Sequence, residues 1–446
     1  MRPLTFSHNS QPGSDFAVVG SGIAGMSAAW LLSKRHRVTL YERENRIGGH
    51  SHTVEVGGVP VDTGFIVYNE LNYPNLTALF RHLGVATDAS TMTFSVSLDS
   101  GAFEYAGDLR GLIAQPSNLL KRDYWRMLTE IVRFYREAPA LLDARHTSEM
   151  TLGEYLDRNH YSDAFAHLHL LPMGAAIWSA SVDDMRAHPA TTFVRFFANH
   201  GLLKLNGRPQ WRTVRGGSRE YVKRLTADYA SGVRPGAKAI LRDGAGVTIV
   251  DDSGAAHRHD GVVIAAHADQ ALSMLAEPTP EERKLLGAFP YRDNLAVLHS
   301  DLSLMPKRRG AWASWNYLGR RDAEACADLS VTYWMSRLQN IPNRTPLFVT
   351  LNPHKMPRDE KVHGAYHCAH PVFNTAALEA QSRLWSLQGV QRTWFCGSYF
   401  GSGFHEDALQ AGLAAAEDAG GVRRPWNVAN ESGRIIRAPQ FADALL

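Results

Sequence analysis

The chain has 446 residues, 44% of them hydrophobic and 20% charged, too long for one ordinary core and suited to two soluble domains. Its formal net charge of +3 is too small to argue for nucleic acid without a clustered basic stripe, and no such partner is expected. Cys326, Cys368 and Cys396 lie far apart with no CxxC pair, which offers no disulfide framework and fits the reducing cytoplasm.

The opening residues, "MRPLTFSHNSQPGSD", have no apolar core of signal-peptide length and read as a loose leader. Next comes "DFAVVGSGIAGMSAAWLLSKRHRVTLYERE". It reads as a short apolar strand, the glycines Gly20, Gly22 and Gly25 in a GxGxxG pattern, a helix, and a second strand over Arg37 to Tyr41. Such a βαβ unit suits a dinucleotide. The first glycine permits a tight turn, the second lets the backbone approach a pyrophosphate, and the third lets helix and strand pack closely. Glu42 ends the second strand 22 residues after Gly20, where a carboxylate accepts hydrogen bonds from a ribose diol. Candidate contacts are Gly20, Ser21, Gly22, Ile23, Ala24, Gly25, Glu42 and Arg43. The apolar run from Phe16 to Leu32 is broken by three glycines and reads as strand, turn and helix rather than a membrane span.

"ERENRIGGHSHTVEVGGVPVDTGFIVYN" then places Arg46, Gly48, Gly49 and His50 in a second glycine loop, and Gly64 and Phe65 in an Asp-x-Gly turn. An NAD domain would run into another βαβ helix at this point. Turn glycines and short β-like runs point instead to FAD, a longer cofactor that stays bound and extends past its pyrophosphate. On these motifs the chain resembles the flavin-containing amine oxidoreductase superfamily, which spans monoamine and polyamine oxidases, protoporphyrinogen oxidases and carotenoid desaturases. That superfamily follows its glycine turn and acid with Arg-x-Gly-Gly-Arg. Arg46, Gly48 and Gly49 match it, and His50 stands in place of the final arginine.

Further along, "LIAQPSNLLKRDYWRMLTEIVRFYREAPALL" gives an amphipathic helix after Ser117, with Leu120, Trp125, Leu128, Ile131 and Val132 near one side and basic residues interleaved. Such helices usually pack on their own domain; contact with lipid is the alternative. "VRGGSREYVKRL" and the turn-rich strands from Gly232 to Leu272 resemble the family's middle return to the cofactor domain, and the resemblance puts the main chain of Lys238 near the adenine. The basic clusters Lys121-Arg122, Lys307-Arg308-Arg309 and Arg423-Arg424 read as solvated faces, with an anionic membrane surface as the other reading. In "KVHGAYHCAHPVFN", His363, His367, Cys368 and His370 crowd together without a second ligand pair at matching spacing, so no metal is expected. Aromatics in "AWASWNYLG" and "VTYWMSRL" suit a core, and they are also candidates for an apolar wall opposite a flavin ring.

Near the end, "FCGSYFGSGFHEDALQAGLAAA" repeats the pattern of glycines before an alanine-rich helix. The resemblance implies that the chain returns here to complete the cofactor site, with Gly397, Gly403, His405, Glu406 and Asp407 near the ribityl chain and ring. Glu406 and Asp407 equally suit helix capping. His405 and Glu406 are also the candidates for a catalytic base.

The expected fold is α/β: a Rossmann-like FAD-binding domain of the amine-oxidase/GR2 type with an inserted α+β substrate domain. The first is assembled from residues 15–90, 211–272 and 386–425; the second from 91–210, largely helical, and 273–385, with strands; residues 426–446 form a C-terminal tail. A closer resemblance is carried by "VDTGFIVYNELNYPNLTALFRHLGV", "PMGAAIWSA", "WRTVRGGSREYV" and "RTWFCGSYFGSGFHEDALQAGL". It is to a bacterial group of NAD/FAD-binding proteins similar to the flavin region of plant cyclopropane-fatty-acid synthases, with Ala408 where glycine is expected after "HED". That resemblance implies an FAD-dependent oxidoreductase desaturating methylated or cyclopropane fatty acyl chains of phospholipids. It also implies a lipid or other apolar substrate, peripheral contact at the inner membrane surface, and a cyclopropane-synthase-like methyltransferase as partner. A flavin amine oxidase and a non-catalytic flavin module supporting a lipid methyltransferase are the alternatives.

Overall fold

A computed structural model describes residues 13–437 apart from 143–149, 179–180, 205–206, 230–231, 321–329 and 343–345. The expected leader before Gly13, Cys326, and the last residues of the expected tail lie outside the described residues.

The first strand, Asp15–Val19, sits at the centre of a five-stranded parallel sheet. In order across the sheet the strands are 233–235, 37–42, 15–19, 261–264 and 393–395. Both faces of the centre are covered, which is why Phe16 to Val19 form an unbroken apolar run. The first helix, Ile23–Leu32, is buried along its whole length, between the sheet and the last helix, His405–Gly420. A buried helix has no need of a polar face, and its sequence has none. The two helices meet at small residues: a Cβ on Gly412 would stand 2.2 Å from the carbonyl oxygen of Ala24 and 2.5 Å from Ser27 Oγ.

A seven-stranded sheet forms the second layer, with the strands 362–371, 291–299, 348–351, 330–334, 315–319, 94–98 and 103–106 in order. It is antiparallel except where 94–98 runs parallel to 315–319. Helices 122–137, 152–158, 171–178 and 190–199 build a separate core with its far edge. The segment from 91 to 210 is therefore helical only after two strands that complete this sheet. Their sequence, with Ser95 and Ser97 alternating with Phe94, Val96 and Leu98, becomes a strand through its pairing with residues some 220 positions away.

The expected domain boundaries cut through one core. Leu275, Leu285, Leu286 and Phe289, then Phe373, Ala377, Ala380 and Leu384, and finally Ile435 are all buried with the parallel sheet. Short helices at 280–286 and 375–381 pack on each other and share the core of that sheet, so the chain leaves the cofactor layer later than its glycine turns suggest and returns earlier. The tail beyond 425 packs as well: Arg434 pairs with Asp407 at 2.9 Å, and Trp426 stacks on Trp30. No described helix is long and apolar enough to cross a membrane.

Replacing Gly412 by Val should separate the two central helices at a cost of about 3 kcal/mol or more. The expected result is a large fall in thermal midpoint and loss of bound flavin on purification. Gly107→Ala, whose Cβ would meet only Phe94 O at 3.8 Å, should leave both unchanged.

Candidate active site

The first glycine turn is built by contact. Gly20 has φ +97°, and a Cβ there would stand 2.8 Å from the carbonyl oxygen of Ala265; on Gly25 it would stand 1.9 Å from the Gly20 oxygen. At Gly22 a Cβ would meet nothing within 4 Å, so the side of the turn where a ligand's phosphates would lie is open. The helix that follows has no acidic residue in its first turn and no side-chain cap, which leaves its N–H groups facing that space. Glu42 closes the other side, accepting hydrogen bonds from Ser21 N–H at 2.8 Å and Glu44 N–H at 2.9 Å.

The second glycine loop rests on the first. Gly48 N–H donates to Ser21 Oγ at 3.1 Å, and a Cβ on Gly49 would stand 3.0 Å from Gly22 Cα. Arg46 donates to the Gly49 carbonyl at 2.8 Å and pairs with Glu44 at 2.9 Å, so it braces this loop. Asp62, wholly buried, ties in the middle segment by accepting from Thr53 Oγ1 at 2.6 Å and Ser218 N–H at 2.9 Å. Burial pushes its carboxyl up to about 6 against those hydrogen bonds.

These loops border a groove of about 740 Å³. It runs from Glu42, Arg43, Gly236 and Ala237, past the glycine turn, to His50, Phe65, Gly397 and His405. There it meets a second cavity of about 270 Å³. The shared wall includes His50, Phe65, Trp315, Tyr333, His370 and His405. The smaller cavity is otherwise lined mainly by apolar side chains from both layers, among them Ile66, Met92, Phe94, Met173, Phe196 and Leu351. No Asp, Glu or Lys of the described residues lines it; Arg208 is its one cation.

Imidazoles gather at the junction. The rings of His50 and His370 are 5.7 Å apart, and His405 stacks on Phe65 at 3.9 Å. His405 Nε2 is 2.8 Å from the Tyr221 hydroxyl, which also hydrogen-bonds Ser51 Oγ. Burial, reinforced by neighbouring imidazoles, lowers His50 and His405 to about 3 and His370 to about 4, so all three are neutral at pH 7. Burial also lowers His200, on the cavity's far side, to about 3.

Of the residues expected from sequence, Gly20, Ser21, Gly22, Ile23, Ala24, Glu42, Arg43, Arg46, Gly49, His50, Gly64, Phe65, Gly397, Gly403 and His405 line the groove. Gly25 and Gly48 lie behind it and serve packing. Lys238 does not line it: the strand bulges between Ala237 and Ala239, and Gly236 and Ala237 form the wall. Glu406 is also elsewhere. Its buried carboxylate accepts from Asn75 N–H at 3.0 Å, Asn75 Nδ2 at 2.9 Å, Leu76 N–H at 2.9 Å and Gln410 Nε2 at 2.9 Å. Glu406 thus clamps the last helix to the helix at 74–82 and, lining neither cavity, is not placed to act as a base. Asp407 caps its helix through Ser402 and Phe404 N–H at 2.9 and 2.8 Å.

Tyr221 and His370 are not among the site residues expected from sequence. The signal for His370 was present: in strand 362–371, Tyr366, Cys368 and His370 share one face. Its neighbours disperse, His367 to Asp293 at 2.6 Å and His363 to Ser300 Oγ at 3.2 Å. Among the described residues no group of three or more His, Cys, Asp or Glu is arranged to hold a metal.

An acid beyond the glycine turn suits a ribose, the open N–H groups of the turn suit a pyrophosphate, and an aromatic, uncharged junction suits an isoalloxazine ring. Fold and groove together define an FAD-dependent oxidoreductase. The chain belongs to the flavin containing amine oxidoreductase family, whose model matches residues 23–304. AofH of Mycobacterium tuberculosis, named among the flavin-containing monoamine oxidases, is 28% identical over 382 residues, covering 82% of this chain and 80% of its own. Cyclohexylamine oxidase from Brevibacterium oxydans superposes with a TM-score of 0.66 over 92% of this chain and 99% of its own, at 15% identity. A CLA-producing fatty acid isomerase from P. acnes does so with a TM-score of 0.62 over 92% and 98%, at 14% identity. At such identities the superpositions show the fold alone.

Two outcomes are expected. Glu406→Ala should lower stability by about 2–4 kcal/mol, because several buried donors lose their acceptor, while turnover per bound flavin stays unchanged; chemical denaturation and single-turnover kinetics read the two effects. The buried histidines give the second. Their ordinary value is 6.5 and their folded values are about 3 to 4, so below pH 6.5 the unfolded chain binds protons that the folded chain refuses. Their contribution is complete above that pH and is lost as pH falls, at about 1 kcal/mol per histidine per pH unit. The thermal midpoint should drop steeply between about pH 6.5 and about pH 5, before the exposed carboxylates titrate.

Proposed function

We propose that this FAD-dependent oxidoreductase dehydrogenates an apolar acyl chain, of the methylated or cyclopropane fatty acyl class carried by phospholipids. The observation that carries this reading is the smaller cavity, which meets the cofactor groove at aromatic and neutral imidazole side chains and offers no carboxylate of the described residues to an alkylammonium group.

FAD, when bound, supplies a two-electron acceptor for a hydride. The protein's part is to hold one methylene of the chain at the groove's end and keep water out. A methylene beside a methylated double bond leaves an allylic cation on losing hydride, and the faces of Phe65, Trp315, Tyr333 and Phe404 suit such a charge. Loss of a proton from the adjacent carbon completes the new double bond. An imidazole as weakly basic as His370 or His405 suffices to accept that proton, because a C–H beside a carbocation is strongly acidic.

Amine oxidation is the second reading, favoured by the sequence likeness to AofH across most of both chains. One experiment separates them. Under anaerobic conditions, phospholipid bearing methyl-branched unsaturated chains should bleach the oxidised flavin spectrum and yield a lipid with one more double bond. Bleaching by simple amines, with none by the lipid, would overturn the lipid reading.

A further inference from the structure

Five of the eleven large apolar side chains exposed among the described residues fall within residues 109–125. Leu109 is 86% exposed, Ile113 59%, Leu120 89% and Trp125 53%, all within 17 residues of sequence. Hydrogen bonds hold this stretch in one arrangement: the Tyr124 hydroxyl donates to the Leu112 carbonyl at 2.7 Å, and Trp125 Nε1 to the Leu119 carbonyl at 2.8 Å. The short helix at 109–112 packs on the turn at 309–311, where a Cβ on Gly310 would lie 3.2 Å from Ala114 Cβ. That contact brings two of the basic clusters into one neighbourhood. Arg110, Lys121 and Arg122 are exposed among the apolar residues, and Lys307 and Arg309 are exposed on the adjoining turn. Asp123 is the one exposed carboxylate in 109–125.

The helix that carries Trp125 has two roles. Tyr124, Met127, Ile131 and Phe134 pack inward, and Tyr135 reaches the apolar cavity. Trp125 and Val132 face out, beside Arg122 and Arg136. The side chains expected on one apolar face are thus divided: Ile131 belongs to the core, and Leu120, Trp125 and Val132 to the surface.

We propose that residues 109–125, with the basic turn at 307–309, form a docking surface for an anionic phospholipid bilayer. Exposed leucines next to cations in the chain, with an exposed tryptophan, suit an interface where apolar tips enter the acyl boundary and charges meet phosphate. A second copy of this chain is a poor occupant, because a two-fold contact would set the same cations against each other. The proposal deepens the lipid reading above and rests on it for its purpose, but its test needs no turnover.

The flavin-loaded protein is sedimented with vesicles of phosphatidylcholine alone and of phosphatidylcholine mixed with phosphatidylglycerol. It should bind the anionic vesicles and lose binding in high salt. A triple variant, Leu109→Ser with Ile113→Ser and Leu120→Ser, should bind about tenfold more weakly or worse while keeping its flavin spectrum and thermal midpoint. Failure of the parent to bind anionic vesicles, or equal binding by parent and variant, would overturn the proposal. So would light scattering that shows a dimer which the variant breaks. Reduction of the flavin by detergent-dispersed phospholipid, measured in parallel, tests the lipid reading alone: docking without reduction removes that reading, and reduction without docking removes this one.

Discussion

Backbone approaching backbone without an intervening side chain is the constraint on which the rest of this structure depends. Gly25 rests on the carbonyl of Gly20, Gly49 on Gly22, and Gly412 on the carbonyl of Ala24. Three segments from the beginning and end of the chain are brought within contact distance at one spot. A side chain at any of these positions would push them apart by more than a packed interior tolerates. The space left open beside Gly22 has the shape of a phosphate site because every other direction is filled.

Around that spot the protein spends its polar groups on structure and leaves the reactive end nearly uncharged. Asp62, Glu406 and Asp407 are buried acids, each consumed by several hydrogen bonds; those of Asp62 and Glu406 join distant segments, and Asp407 caps its own helix and holds Arg434. At the junction of groove and cavity the titratable groups are imidazoles that burial keeps neutral, together with hydroxyls and one thiol. A wall of this kind presents no carboxylate of the described residues to a cationic substrate and does not penalise the entry of hydrocarbon. It is a chemistry suited to C–H bonds, and it sits one helix away from a surface whose exposed leucines and cations suit a bilayer.

The glycine turn, its flanking strands and Glu42 were legible in the sequence because they are local: fixed spacing, fixed dihedral requirements and an apolar run buried on both faces. The diglycine loop and the glycine cluster near residue 400 were legible by resemblance. The role of Glu406 was not, since an acid at a helix start looks the same whether it faces a ligand or the donors of another helix. Lys238 failed for a similar reason: a one-residue bulge decides which backbone groups reach the groove. The domain limits were misplaced because two short helices pack on the parallel sheet although their sequences carry no mark of which layer they join.

By itself the sequence determined the cofactor class, since dinucleotide binding is written in one contiguous βαβ unit in which Gly20 and Gly25 allow no bulkier residue and Gly22 leaves room for a ligand. It also marked its longest apolar run as strand, turn and helix, because three glycines break that run. Only the tertiary structure decided which histidines meet at the junction, that the cavity beyond them carries no acid among the described residues, and that the helix at 109–112, with its exposed leucine, packs on the basic turn that holds Arg309. Those features depend on pairings between segments far apart in the chain, and no local periodicity records them.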